Sequence, residues 1–206
     1  MELCDEFFTL NPPTRLRIRG ETLSGTLQSL VSGESDLAIG VVMDTGTAAG
    51  LQSEQLGSLR FVFAMAPHHP LAHVPEPLSD DVIRAHRAVA VADSGGGGGI
   101  SIGILAGQDV FTVPDMPTKI DAQIRGLGAG FLPTCLAQPY VDTGRLVAKR
   151  VERLEQELPV CYSWRKRPEP RRGRALQWWL EKLQTRITRT ALLSAHGYKP
   201  PRRAGR

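Results

Sequence analysis

Several residues are of a kind that catalyses or coordinates, and their spacing argues against each use. His68-His69 offers two imidazoles, but neighbours at a strand end point to opposite sides, and no carboxylate or thiol stands at ligand spacing beside them. Gly126-x-Gly128-x-Gly130 has the glycine density of a phosphate loop. Its order is the reverse of a dinucleotide fingerprint, because the glycines follow a helical stretch and precede a strand. Close packing of backbone is the expected use. Cys135 has no motif that brings it a histidine as base, and no Gly-x-Ser-x-Gly elbow occurs. Cys4, Cys135 and Cys161 are an odd number at wide spacing, so they are expected as reduced, mostly buried thiols. The sequence therefore predicts no enzyme, no metal and no cofactor, and leaves non-covalent ligand binding as the chemistry to look for.

The elements that would position such a site follow from patterning. Leu16-Arg17-Ile18-Arg19 alternates like a half-buried strand after the Pro12-Pro13 turn. Leu23, Leu27, Leu30 and Val31 recur at helical spacing, with Thr22 or Ser24 as cap and Gly33 as stop. Asp36 to Val42 is nearly continuous in apolar residues, as in a strand buried on both faces, and strand, helix, strand predicts a parallel-sheet unit. Further strands are expected at Leu59–Ala66, Ala88–Ala92, Phe111–Val113, Phe131–Pro133, an edge strand at Leu146-Val147, and Val160–Trp164. Helices are expected near Ser79–Ala85, after Asp115 with Ile120, Ile124 and Leu127 on one face, and at Thr134–Thr143. A terminal amphipathic helix carries Leu176, Leu180, Leu183 and Ile187. Gly95 to Gly99 is expected as a mobile loop, since each glycine loses much entropy on ordering.

The 206 residues suffice for one large domain or two lobes; 41% are hydrophobic and 22% charged, as in ordinary soluble proteins, and no run suits a membrane span. The N-terminus lacks an export signal's basic start and apolar stretch, so the expected location is cytoplasmic. The net charge of +4 is unevenly spread: from Arg165 onward 13 Lys/Arg face 2 Asp/Glu, leaving 12 against 19 before it, a net of −7. This favours a solvated basic terminus, with residues 191–206 as a flexible tail, over a groove-reading face.

Particular residues narrow the reading. Leu16-Arg17-Ile18-Arg19-Gly20-Glu21, then Gly33-Glu34-Ser35-Asp36-Leu37-Ala38-Ile39, His69-Pro70-Leu71-Ala72, Gly126 to Pro133, and Gly144-Arg145-Leu146-Val147 occur in that order. Together they resemble the effector-binding domain of LysR-type transcriptional regulators over roughly Arg15 to Leu183. The stretch from Gln108 to Pro117 is most similar to a subgroup near the regulators of allantoin use. The resemblance implies an α/β fold of two Rossmann-like lobes, of the periplasmic-binding-protein type II, with a small effector in the cleft between them. It implies residues 1–71 and 147–190 as lobe I and 72–146 as lobe II. It also implies a homodimer or homotetramer, with DNA contacted only through a winged helix-turn-helix that has no counterpart here. It implies too a helix at Glu2–Leu10 and a first strand ahead of it that has no counterpart either, so a truncated domain is the expectation.

Ligands in open α/β folds meet the turns after strands. The first such turn is Glu21, Thr22 and Ser24, whose hydroxyls and helix-terminal N–H groups suit a carboxylate, or simply cap the helix. The second is Asp93 and Ser94, which suit binding and turn formation equally, and the third is Thr112, Val113 and Asp115. Val42 and Met65 would wall the cleft or pack in the core. Glu21 and Asp115 leave the effector's charge open. The rival readings are a transporter's solute-binding protein, which would be exported, a direct nucleic-acid binder through the basic terminus, and a small enzyme.

Overall fold

The computed structural model describes residues 2–10, 13–41, 50–95, 103–153, 157–166 and 173–194. Along the first half run α1 (Glu2–Leu10), α2 (Ser24–Val31), β1 (Leu37–Val41), β2 (Leu51–Met65), a 3-10 turn (Pro70–His73), α3 (Asp80–Arg84) and β3 (Ala88–Val91). The second half has β4 (Val110–Val113), α4 (Met116–Ile124), β5 (Gly130–Pro133), α5 (Thr134–Asp142), β6 (Val147–Lys149), β7 (Glu157–Arg165), α6 (Arg174–Gln184) and α7 (Arg186–Leu193).

One strand, β2, belongs to two sheets. From Leu51 to Arg60 it lies antiparallel to β7, which carries β1 on its other side. From Phe61 to Ala64 it pairs with β5, and from Phe63 to Met65 with β6. β3 and β4 form a parallel pair, tied to β5 where Val89 N donates to Ala129 O at 2.9 Å.

Strand alternation gives each sheet its cores. Leu56, Val160, Tyr162 and Trp164 pack on Leu180 and Leu183 of α6. Beyond the changeover, Phe63 and Met65 face Leu71, Leu78 and Ile83, while Ala64 and Leu132 face Ile120, Ala137, Tyr140 and Leu146. Each such leucine or isoleucine contributes about 1.5–3 kcal/mol on burial. Local signals hold where capping is local: Ser79 accepts from Val82 N at 3.4 Å, and Asp115 from Thr118 N at 2.8 Å. Gly33 takes φ +84° just beyond α2.

Other expectations are corrected. Leu16–Arg19 forms no strand, and Ile18 is 67% exposed, because no strand among the described residues lies beside it. β1 is an antiparallel edge strand with an irregularity between Ile39 and Val41, so Ile39 is exposed and the strand is not buried on both faces. Strand, helix, strand therefore makes no parallel unit there. Leu127 lies on the surface beyond the end of α4. The terminal helix breaks at Thr185, whose extended backbone ends α6 and caps α7, and this turns Ile187 out to 84% exposure. β2 and β7 both begin earlier than their apolar cores suggest. Val42, most of the glycine run and residues 195–206 lie outside the described residues, whereas residues 191–193, expected as the start of a flexible tail, are the last turn of α7.

Candidate functional site

Residues 21–24 and 92–95 come together across the fold. At the start of α2 the backbone is strained: Leu23 has φ +51°, the left-handed region that costs a non-glycine residue about 1–2 kcal/mol. Neither Thr22 nor Ser24 caps the helix with its side chain. Asp93, just past β3, supplies the cap instead. Its Oδ1 accepts from Ser24 N at 3.0 Å, and the Ser24 hydroxyl donates into the carboxylate, 2.7 Å from both oxygens. A carboxylate on exposed N–H groups at a helix start also suits the helix dipole.

Thr22 and Ser94 interlock beside this pair. Thr22 N donates to Ser94 Oγ at 2.9 Å, Ser94 N donates to Thr22 Oγ1 at 3.1 Å, and Thr22 Oγ1 donates to Ala92 O at 2.6 Å. The Ser94 hydroxyl lies 2.8 Å from Glu21 Oε2, and Arg19 holds the same carboxylate at 3.2 Å. Arg19 also reaches Glu34 at 2.6 Å, so the cation beside the site is shared between two acids.

Two small residues permit this approach. A methyl at Gly25 would overlap Ser94 Oγ and lie 2.9 Å from the Ser94 carbonyl carbon; one at Gly95 would lie 3.0 Å from Gly25 N. Sequence reasoning missed Gly25. Its signal was a glycine in the first turn of a helix, where it costs helix propensity and needs a steric reason.

Five of the expected residues, Glu21, Thr22, Ser24, Asp93 and Ser94, are therefore in one hydrogen-bonded cluster. The others are not. Met65 has no exposed surface and packs in the core with Leu71 and Leu78, so it walls no cleft. Val113 is buried against Val89 and Ala122. Thr112 is exposed on β4. Asp115 caps α4, and the hydrogen bonds from Thr118 hold its carboxyl below its ordinary range.

Two buried polar groups escaped the sequence reading. Lys119 on α4 is 6% exposed with no ion pair among the described residues, and burial pulls its amine from an ordinary 10.5 down to about 8. One turn on, Gln123 donates to Ala64 O and Gly130 O at 3.3 and 3.0 Å, while its own carbonyl oxygen is buried without a partner among the described residues. His69 is also buried; its Nδ1 accepts from Leu71 N at 3.3 Å, and burial, with His86 and His68 nearby, lowers its basicity. Among the described residues no three His, Cys, Asp or Glu are grouped to hold a metal.

A strand shared between two sheets, with helices about each and a polar cluster joining them, defines a two-lobed α/β fold of the periplasmic-binding-protein type II. The LysR substrate binding domain family matches residues 1–188, and the chain belongs to that family. The HTH-type transcriptional regulator YeeY of Escherichia coli is 35% identical over 182 residues, 88% of this chain and 58% of that one. The HTH-type transcriptional activator AllS of Salmonella paratyphi A is 33% identical over 156 residues, 75% and 51% of the two chains. The regulatory domain of MetR from Neisseria meningitidis shares the fold at TM-score 0.68 and 17% identity, covering 92% of this chain and 88% of its own. LysG of Corynebacterium glutamicum, solved with the effector Arg bound, gives TM-score 0.59 at 21% identity, over 87% and 61%. The chain thus spans between half and three-fifths of these curated relatives' length. No helix among the described residues is long and apolar enough to cross a membrane.

Proposed function

We propose that the chain is the effector-sensing and oligomerisation domain of a LysR-type transcription regulator, acting in the cytoplasm by binding rather than by chemistry. The lobe crossings are assigned to β2 near Arg60–Phe61 and to the segment between β6 and β7, against the 71 and 147 expected from sequence. The effector is a small carboxylate-bearing metabolite held between the lobes. The observation that carries this reading is the bonding of Ser24 to Asp93. It marks a position where a carboxylate is welcomed by a helix start and a hydroxyl, and where an effector's carboxylate competes with a side chain of the opposite lobe.

The mechanism is a population shift. With Asp93 on α2 the lobes are latched at one angle; a ligand that takes over Ser24 releases Asp93 and favours another. It can move that balance only by the difference in its affinities for the two arrangements. In the homodimer or homotetramer this angle resets the spacing of DNA-reading parts that lie outside the chain.

The test is calorimetric titration with a panel of small carboxylates, with the ligand recovered and analysed afterwards. Saturable binding of one carboxylate, weakened at least tenfold by Ser24→Ala and with the ligand unchanged, supports the reading. Conversion of the ligand, or no binding across the panel by a cooperatively folded protein, overturns it.

A further inference from the structure

A cavity of about 490 Å³, in the ~300–1,000 Å³ range of small-molecule sites, lies beside the point where β2 changes partners. It shares no lining residue with the 21–24 and 92–95 cluster. Phe61 and Phe131 form one wall, and Phe63 meets Phe131 edge-on with centroids 5.2 Å apart.

The charged residues about it are mostly engaged. Arg150 Nε bonds Glu76 Oε2 at 2.8 Å, and Lys149 Nζ donates to Val74 O at 2.9 Å. Arg153 differs. Its guanidinium lies 5.6 Å from the Phe131 ring centre, and its Nε sits 2.6 Å from Asp80 Oδ1 but out of line for a hydrogen bond. Its Nη2 is shielded from solvent and has no acceptor among the described residues. A charged donor left unsatisfied costs about 1–3 kcal/mol or more, so a guanidinium that turns toward an acceptor in the cavity relieves an existing deficit. A guanidinium edge matches a carboxylate or a phosphate, and beside the acidic Glu152 the singly charged carboxylate is the better fit.

We propose that this cavity is a second ligand site, taking a flat aromatic monocarboxylate with its carboxylate on Arg153 and its ring against Phe61 and Phe131. Glu152 also lines the cavity, and its charge disfavours a second anionic group on the ligand. Phe61 directly follows Arg60, the last β2 residue paired to β7, and Arg153 lies on the segment that returns to β7. A ligand bridging them braces the crossing between the sheets.

The test titrates 2-naphthoate and its neutral amide, 2-naphthamide, into the chain, following Val151 and Ala148 methyl signals by NMR. Expected are saturable shifts at both methyls with the acid, at least tenfold weaker binding of the amide, and a similar loss in Arg153→Gln. Ser24→Ala leaves the 2-naphthoate affinity unchanged, which separates this site from the cleft. Equal binding of acid and amide, shifts confined to residues 21–24 and 92–95, or no saturable shift overturns the proposal. The comparison of acid with amide needs no variant, so it stands even if Arg153→Gln fails to fold.

Discussion

Ser24 and Asp93, 69 residues apart, meet so that one carboxylate takes both the backbone N–H and the hydroxyl of the serine. Removing that carboxylate frees the start of α2 and unties two sheets at once. Asp93→Ala is expected to cost about 1–3 kcal/mol, the scale of charged hydrogen bonds lost from a half-buried site. Amide hydrogen exchange should accelerate at Ser24 and Gly95, whose N–H groups both bond Asp93, and stay unchanged at Val89 in the lobe core. Uniform acceleration would mean that the contact supports the whole fold instead of the latch.

Gly25→Ala tests the same contact without deleting a polar atom. The added methyl collides with Ser94, so the two segments must part even though alanine favours the helix by roughly 1 kcal/mol. Lower stability with faster exchange at Ser94 is the expected result. A gain in stability would show that the approach is looser than described.

Lys119 predicts a stabilising substitution. Its amine loses its proton more easily in the folded chain, at about 8, than when unfolded, at 10.5. The unfolded chain therefore binds the extra proton between those values, and stability rises with pH across that window. Below pH 8 the burden is constant, on the order of 3 kcal/mol at about 1.4 kcal/mol per pH unit. Lys119→Met, similar in length and uncharged, should be the more stable protein at pH 7, with the gap closing as pH approaches 10.5. Denaturant melts at pH 7, 9 and 10.5 measure it.

His69 works on the acid side. It is buried neutral and its basicity is lowered, so the unfolded chain takes up a proton first as pH falls. Its contribution is intact above the ordinary 6.5 and is lost as pH drops from there through the lowered folded value. His69→Asn keeps an acceptor for the 3-10 turn and should flatten the melting temperature between pH 7 and 5, at a cost near 1 kcal/mol or less at pH 7.

Gly128 leaves no room for a side chain: a methyl there would lie 2.6 Å from Arg87 O and 3.0 Å from Val89 Cγ2. Backbone cannot swing aside as a side chain can, so Gly128→Ala should cost about 1–3 kcal/mol by thermal melt. Gly144→Ala, at φ +66° with open space around it, should cost less, chiefly through backbone strain.

The legible parts of the fold were those fixed by neighbours in sequence. Asp115 and Ser79 cap helices three residues away, and the glycine spacing from 126 to 130 announced backbone packing. Leu51–Ser58 was not legible as a strand, because Gln52, Ser53, Glu54 and Gln55 are polar and are held in place by β7, about a hundred residues on. The site shows the same division. Ser24 and Asp93 were each singled out, but nothing local reveals that they meet. Met65 and Val113 stand at strand ends, and whether such a residue faces a cleft or a core depends on a parity that only the assembled sheet decides.

β2 runs fifteen residues without a break through both sheets, so the lobes are not joined by a free swivel at that crossing. Turning one against the other must wring the strand itself. A strand yields by small changes in many dihedrals, each cheap and each restoring, so the crossing behaves as a torsion bar. Such a bar opposes any change of angle along its whole length, so the two arrangements proposed for the lobes would differ by a twist spread over many residues of β2, with no bond remade along it.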